Sequence, residues 1–137
     1  MATPENHAIE HFLGTTLQGQ QVLDIDTRYG KMACLFVLLG GRVIGLDIAE
    51  KALSLARREA IKMDVSERVE FVCGKGDLSI FNDNSFDVVF SKSVLVLVPD
   101  LACFLEEVNA KLKSGGKIIF RECEGAMAYT YSTRVPT

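Results

Sequence analysis

Four short segments of this 137-residue chain place polar side chains directly behind apolar runs of strand length: residues 24–30, Asp47 with Ile48, residues 74–78 and residues 91–93. An acid that ends a strand offers two acceptor oxygens, and the vicinal hydroxyls of a ribose match them as a charge-assisted pair. Asp47 stands in that position. A plainer role fits it equally well, because aspartate also caps a following helix. The residue alone leaves both readings open.

Other chemistries lack their parts. Cys34, Cys73, Cys103 and Cys123 are scattered, with no C-x-x-C and no histidine at zinc spacing. His7 and His11 share a helical i,i+4 spacing without a third ligand nearby, so no metal site is expected. The thiols read as reduced and mostly buried, and the histidines as surface residues. Tyr29, Tyr129 and Tyr131 fit ordinary partial burial or interface contact, and no cysteine, histidine or tyrosine is assigned a catalytic role.

The elements that must carry these residues follow from two alternating periods. Residues 21–25, 42–46, 68–73, 86–91 and 117–121 are short apolar runs suited to strands, the fourth continuous in Val88, Val89 and Phe90 as burial on both faces requires. Between them lie helical stripes: Met32, Leu35, Phe36 and Leu39, stopped by Gly40-Gly41; Ala52, Ala56, Ala60 and Met63; and Leu101, Phe104, Leu105, Val108 and Leu112, closed by Ser114-Gly115-Gly116. Upstream, Ile9, Phe12, Leu13 and Leu17 repeat the helical period, giving residues 1–19 as a helical flank on a β/α core of residues 20–123. Strands alternating with helices predict an α/β fold with a doubly wound, mostly parallel sheet. Such sheets bind ligands beyond the carboxyl ends of their strands, which is where the four segments fall.

Composition agrees with a single globular domain. A 48% hydrophobic and 24% charged chain of this length can bury about two thirds of its unfolded surface. Fifteen basic against eighteen acidic residues give a net charge of −3, which disfavours nucleic acid as a partner. The first residues are neither a basic n-region nor an apolar h-region, and the longest apolar stretches are far short of the roughly 20 residues a bilayer needs. The expectation is a cytoplasmic protein without membrane contact.

From Val22-Leu23-Asp24-Ile25 to Gly115-Gly116-Lys117-Ile118 the chain resembles the class I S-adenosylmethionine-dependent methyltransferases. Four blocks in the right order carry the resemblance: the Asp24–Gly30 window, Val43-Ile44-Gly45-Leu46-Asp47-Ile48, Asp83-Asn84-Ser85-Phe86-Asp87-Val88-Val89, and Leu112-Lys113-Ser114-Gly115-Gly116-Lys117. The dinucleotide fingerprint G-x-G-x-x-G is absent from the first turn. The resemblance implies a Rossmann-like sheet, S-adenosyl-L-methionine or S-adenosylhomocysteine as cofactor, and methyl transfer to a small molecule. It also implies cofactor roles for Asp24, Gly30, Asp47, Ile48 and Ser91, with Asp77 and Leu78 at the adenine rim.

The chain departs from the family pattern at informative places. Asp26 and Arg28 replace the first two motif glycines, and side chains there should change the shape of the turn or occupy ligand space. Each could pair with one charge of the cofactor's methionine end; the more economical reading is an ion bridge between the two. Lys75 follows Gly74 where the family usually has an acid, leaving Asp77 two residues later to serve the adenine. Ser93 and Leu97 hold the places of an acid and a histidine common in small-molecule methyltransferases, and neither is a good general base.

The alternative is a non-catalytic, degenerate or truncated copy of the fold acting as an interaction module. Length supports it, since the family sheet usually has seven strands and this chain has room for one after the fifth. Met127, Tyr129 and Tyr131 alternate with small and polar residues within residues 124–137 and predict that sixth strand. It would fold back on strand five or pair with a second chain, and a homodimer through this edge is expected.

Overall fold

The computed structural model describes residues 17–75, 77–92, 101–121 and 128–132. In chain order these form β1 (Gln21–Ile25), α1 (Lys31–Leu38), β2 (Arg42–Asp47), α2 (Glu50–Lys62), β3 (Val69–Cys73), β4 (Phe86–Lys92), α3 (Leu101–Lys111), β5 (Leu112–Arg121) and β6 (Ala128–Ser132), with single 3-10 turns at Ser66–Arg68 and Leu78–Ile80. The strands make one sheet in the order β3-β2-β1-β4-β5-β6. The first five are parallel and β6 is antiparallel to β5. The doubly wound α/β expectation therefore holds, and the tail strand forms by folding back on β5. No helix among the described residues is long and apolar enough to cross a membrane.

Period-two alternation divides the strand residues between two cores. Val22, Val43, Val88, Phe90 and Ile119 pack on one face with residues of α1 and α2. Leu23, Leu46, Val89 and Ile118 pack on the other with Phe104 and Val108 of α3. Winding proceeds outward from β1 through β2 to β3, then β4 returns to pair on the other side of β1. The connections leaving β1 and β4 diverge, and this strand-order reversal opens a crevice above their carboxyl ends.

Several expected boundaries shift, each for a physical reason. Helix α1 buries Met32, Ala33, Cys34, Phe36 and Val37, more than one stripe, because it packs against both the sheet and the neighbouring α2. The buried line of α2 is Leu53, Ala56 and Ala60, with Ala52 only partly covered. Arg68 ends a 3-10 turn, so β3 begins one residue later than expected. Helix α3 does not run on to Ser114: it ends at Lys111, and Leu112 already pairs with Phe86. A leucine at helical spacing satisfies either element, and its pairing with Phe86 decides for the strand. An irregular register between Phe86 and Val88 then absorbs residues 113–116.

Of the expected N-terminal stripe, only Leu17 is among the described residues. It is fully buried, and its N–H donates to the Leu39 carbonyl. Ile9, Phe12, Leu13, both histidines, Ser93, Leu97, Cys123 and Met127 lie outside the described residues.

Candidate functional site

The β1–α1 connection keeps the backbone that glycines would supply, although it carries other residues. Asp26, Arg28 and Gly30 have φ values of 61°, 53° and 75°, all left-handed. Of the two outcomes expected of Asp26 and Arg28, a changed turn or side chains in ligand space, the first does not occur, because the left-handed backbone is kept. Left-handed backbone costs an ordinary L-residue about 1–2 kcal/mol, less for aspartate, and the surrounding bonds hold the turn against that cost. The Thr27 N–H donates to the Leu46 carbonyl at 2.9 Å, and Gly30 N–H to the Thr27 carbonyl at 2.9 Å. Only glycine fits at position 30, because a Cβ there would lie 2.8 Å from both Ala56 Cβ and a Phe71 ring carbon.

Asp47, at the end of β2, grips this turn. One carboxylate oxygen accepts the Arg28 N–H at 2.7 Å and the other accepts the Ala49 N–H at 2.8 Å. Alternating backbone handedness turns successive N–H groups to one side, which makes such a concavity for an anionic group. Asp47 therefore does not stand at the N-cap of α2: Ala49 does, with no side-chain capping bond of its own, and Asp47 holds the Ala49 N–H from two residues upstream. It also ties two strand ends together.

Asp24 is buried on the same sheet face, accepting the Thr27 hydroxyl at 2.7 Å. Gly45 opposite allows this, since a Cβ there would come within 2.9 Å of Thr27 Oγ1. Asp24, Asp26, Thr27, Arg28, Met32 and Phe90 line a pocket of about 250 Å³ at the crevice, with Tyr29 and Lys31 completing it. The side chains at 26 and 28 thus enter the space beside the turn, as expected. They also form the anticipated ion bridge, Arg28 Nε to Asp26 Oδ2 at 3.6 Å. Partial burial, then the neighbouring Asp47 charge, raises the Asp26 pKa above the ordinary carboxylate value, with Arg28 offsetting part of the effect.

The other expected residues are placed differently. Ile48 is 65% exposed beside Asp47. Asp77 is an exposed cap for the 78–80 turn, and its carboxylate, accepting the Ser79 N–H at 2.9 Å, titrates below the ordinary value. Leu78 is fully buried in the α3-side core, so it presents no surface to a ligand; its rim assignment is corrected to a packing role. Ser91 is buried at the end of β4, and its hydroxyl has no hydrogen-bond partner among the described residues. Cys34 is buried, and that burial, with the charges of Glu59 and Asp24, raises its pKa, which opposes thiolate chemistry. No cluster of three or more His, Cys, Asp or Glu residues suited to a metal occurs among the described residues.

A family model for the methyltransferase domain matches residues 23–120, which span the turn, Asp47, Ser91 and β5 up to its penultimate residue. The chain belongs to the methyltransferase-domain family. Curated relatives include the ubiquinone biosynthesis O-methyltransferase of Albidiferax ferrireducens, 33% identical over 74% of this chain and 40% of its own length. The sterol 24-C-methyltransferase of Gibberella zeae is 34% identical over 91% of this chain and 32% of its own. The chain thus spans between about a third and two fifths of these relatives. Among solved structures, an S-adenosylmethionine-dependent methyltransferase from Mesorhizobium loti superposes with a TM-score of 0.74 at 25% identity, covering 87% of this chain and 52% of that one. One from Geobacter sulfurreducens, in complex with S-adenosyl-L-homocysteine, shares the fold with a TM-score of 0.75 at 21% identity, over 88% and 48%.

S-adenosyl-L-methionine is the cofactor of this family. Two observations test whether the residues here fit it. The turn retains left-handed backbone at all three motif positions, and a buried Ser91 hydroxyl with no partner among the described residues sits at the carboxyl end of β4. Both fit a polar ligand in the crevice. Thr27, Tyr29, Lys31, Met32 and Phe90 were not singled out for the site by sequence. Thr27 was the most legible of them, as a hydroxyl three residues after Asp24; Phe90 had only its place in an apolar run.

Proposed function

We propose that this chain binds S-adenosyl-L-methionine, or S-adenosylhomocysteine after transfer, across the carboxyl ends of β1, β2 and β4, and that the protein methylates a small molecule. Asp47 receives the ribose hydroxyls: each of its oxygens takes one backbone N–H, and a carboxylate has about four lone-pair sites. Ile48 offers an exposed apolar surface beside it, and Asp77 an exposed acceptor for the adenine amino group. Asp24, Asp26, Arg28 and Gly30 surround the amino-acid end, and Ser91 contributes its buried hydroxyl, which has no partner among the described residues. When bound, the cofactor supplies an electrophilic methyl group on a sulfonium. The chain's own contribution is to bind and align, which suffices for an acceptor that is already nucleophilic.

The observation that carries this reading is the glycine-type turn at Asp26, Arg28 and Gly30, clamped by Asp47 at the strand-order reversal. O-methylation is the reaction named for the Albidiferax relative, and it favours a small hydroxylated acceptor. Calorimetric titration with S-adenosylhomocysteine is the test, with Asp47→Ala expected to weaken binding about tenfold or more. No heat at millimolar ligand, equivalent to about −4 kcal/mol or weaker, overturns the reading. We also propose a cytoplasmic protein, without nucleic-acid or membrane partners, that pairs as a homodimer through the β6 edge. Light scattering that gives a monomer mass at high concentration would refute the dimer.

A further inference from the structure

The pocket beside the β1–α1 turn is balanced in charge. Asp24 and Asp26 bring two carboxylates to its lining, and Arg28 and Lys31 bring two cations. Such a lining suits a ligand end that carries both signs. Arg28 is the distinctive member: its backbone is left-handed and fixed by the bond from its N–H to Asp47, so its side chain leaves the turn from a set position. Its one ion contact among the described residues is from Nε to Asp26 at 3.6 Å, longer than a hydrogen bond. The terminal nitrogens make no hydrogen bond among the described residues, and the side chain is 57% exposed against 30% for Asp26. A guanidinium fork held in this way can grip a carboxylate through two parallel N–H bonds, which an ammonium cannot do.

We infer that Arg28, assisted by Lys31, binds the carboxylate of the cofactor's zwitterionic amino-acid end, while Asp26 and Asp24 face its ammonium group. The inference rests on the cofactor reading above and deepens it. The loose Asp26–Arg28 pair is the ligand-free partner arrangement, and a zwitterion replaces it with two oppositely directed pairs. Arg28 is a specificity residue on this account: it distinguishes ligands with the amino-acid end from nucleosides without it.

The test compares S-adenosylhomocysteine with 5′-methylthioadenosine, which keeps the nucleoside and sulfur but lacks the amino-acid end, by calorimetry on the wild-type chain, Arg28→Gly and Arg28→Lys. Glycine suits the left-handed turn, so loss of folding does not confuse the result. Wild type should prefer S-adenosylhomocysteine. Arg28→Gly should weaken that ligand by roughly ten- to hundredfold and leave 5′-methylthioadenosine unchanged, with Arg28→Lys in between. Equal or tighter binding of S-adenosylhomocysteine by Arg28→Gly overturns the inference and makes Arg28 an obstruction, with cofactor binding itself intact. Absence of heat from both ligands on wild type overturns the cofactor reading and this inference together.

Discussion

Arg28 occupies a conformation that glycine would adopt without strain, so Arg28→Gly should stabilise the fold. Relief of left-handed strain at φ 53° contributes about 1–2 kcal/mol. Glycine also frees the unfolded chain, which takes back about 0.4–1 kcal/mol. The ion pair lost with the side chain is long and exposed, the kind that contributes about 0–1 kcal/mol and here toward the low end. The Arg28 N–H bond to Asp47 survives because it belongs to the backbone. The net expectation is a gain of about 0.5–1 kcal/mol, or roughly 2–4 °C in Tm for a domain of this size. Arg28→Ala isolates the cause: it removes the same ion pair but retains a Cβ in the left-handed region. Urea unfolding of the two variants at matched m-values should place Arg28→Gly about 1 kcal/mol above Arg28→Ala. Equal stability, or alanine above glycine, would refute the claim that the turn is strained.

Gly30→Ala should act in the opposite direction: its left-handed φ and the 2.8 Å approach to Ala56 and Phe71 combine strain with overpacking, for a loss of about 3 kcal/mol in a urea melt. Thr27→Val removes a donor to the buried Asp24 carboxylate and should cost about 1.5–3 kcal/mol by the same measurement, whereas a neutral result would mean that bond is dispensable. Asp26→Asn probes the raised carboxyl. The folded wild type holds this proton more tightly than the unfolded chain, so the associated stability is present below the ordinary carboxylate pKa and is lost as pH rises through the raised value. Relative to wild type, the asparagine variant should therefore gain stability as pH rises across the acid range, and a difference independent of pH would remove the assigned cause.

Much of the fold was legible because periodicity reports burial directly. Continuous Val88-Val89-Phe90 marked a strand covered on both faces, and these residues are 0–2% exposed. The period-two tail marked a strand, and β6 is one. Legibility failed where one residue satisfies two elements. Leu112 continues a helical stripe and also pairs in the sheet, a choice made by its strand partner Phe86 and not by spacing. The family resemblance implied a rim role for Leu78, yet an apolar side chain beside a packed core goes inward.

Residue types and their order determined the alternating α/β architecture, the segments that cluster at the strand ends and the acids that occupy them, because these depend on local period and composition. Tertiary structure decided what the two missing glycines mean. Sequence predicts that Asp26 and Arg28 either deform the turn or crowd its ligand space, since local preference disfavours left-handed backbone. Bonds from Thr27 to Leu46 and from Arg28 to Asp47, made across the sheet by residues distant in sequence, impose that conformation anyway. Local propensity differs by only about 1–2 kcal/mol at each position, and a few well-formed long-range hydrogen bonds outweigh it.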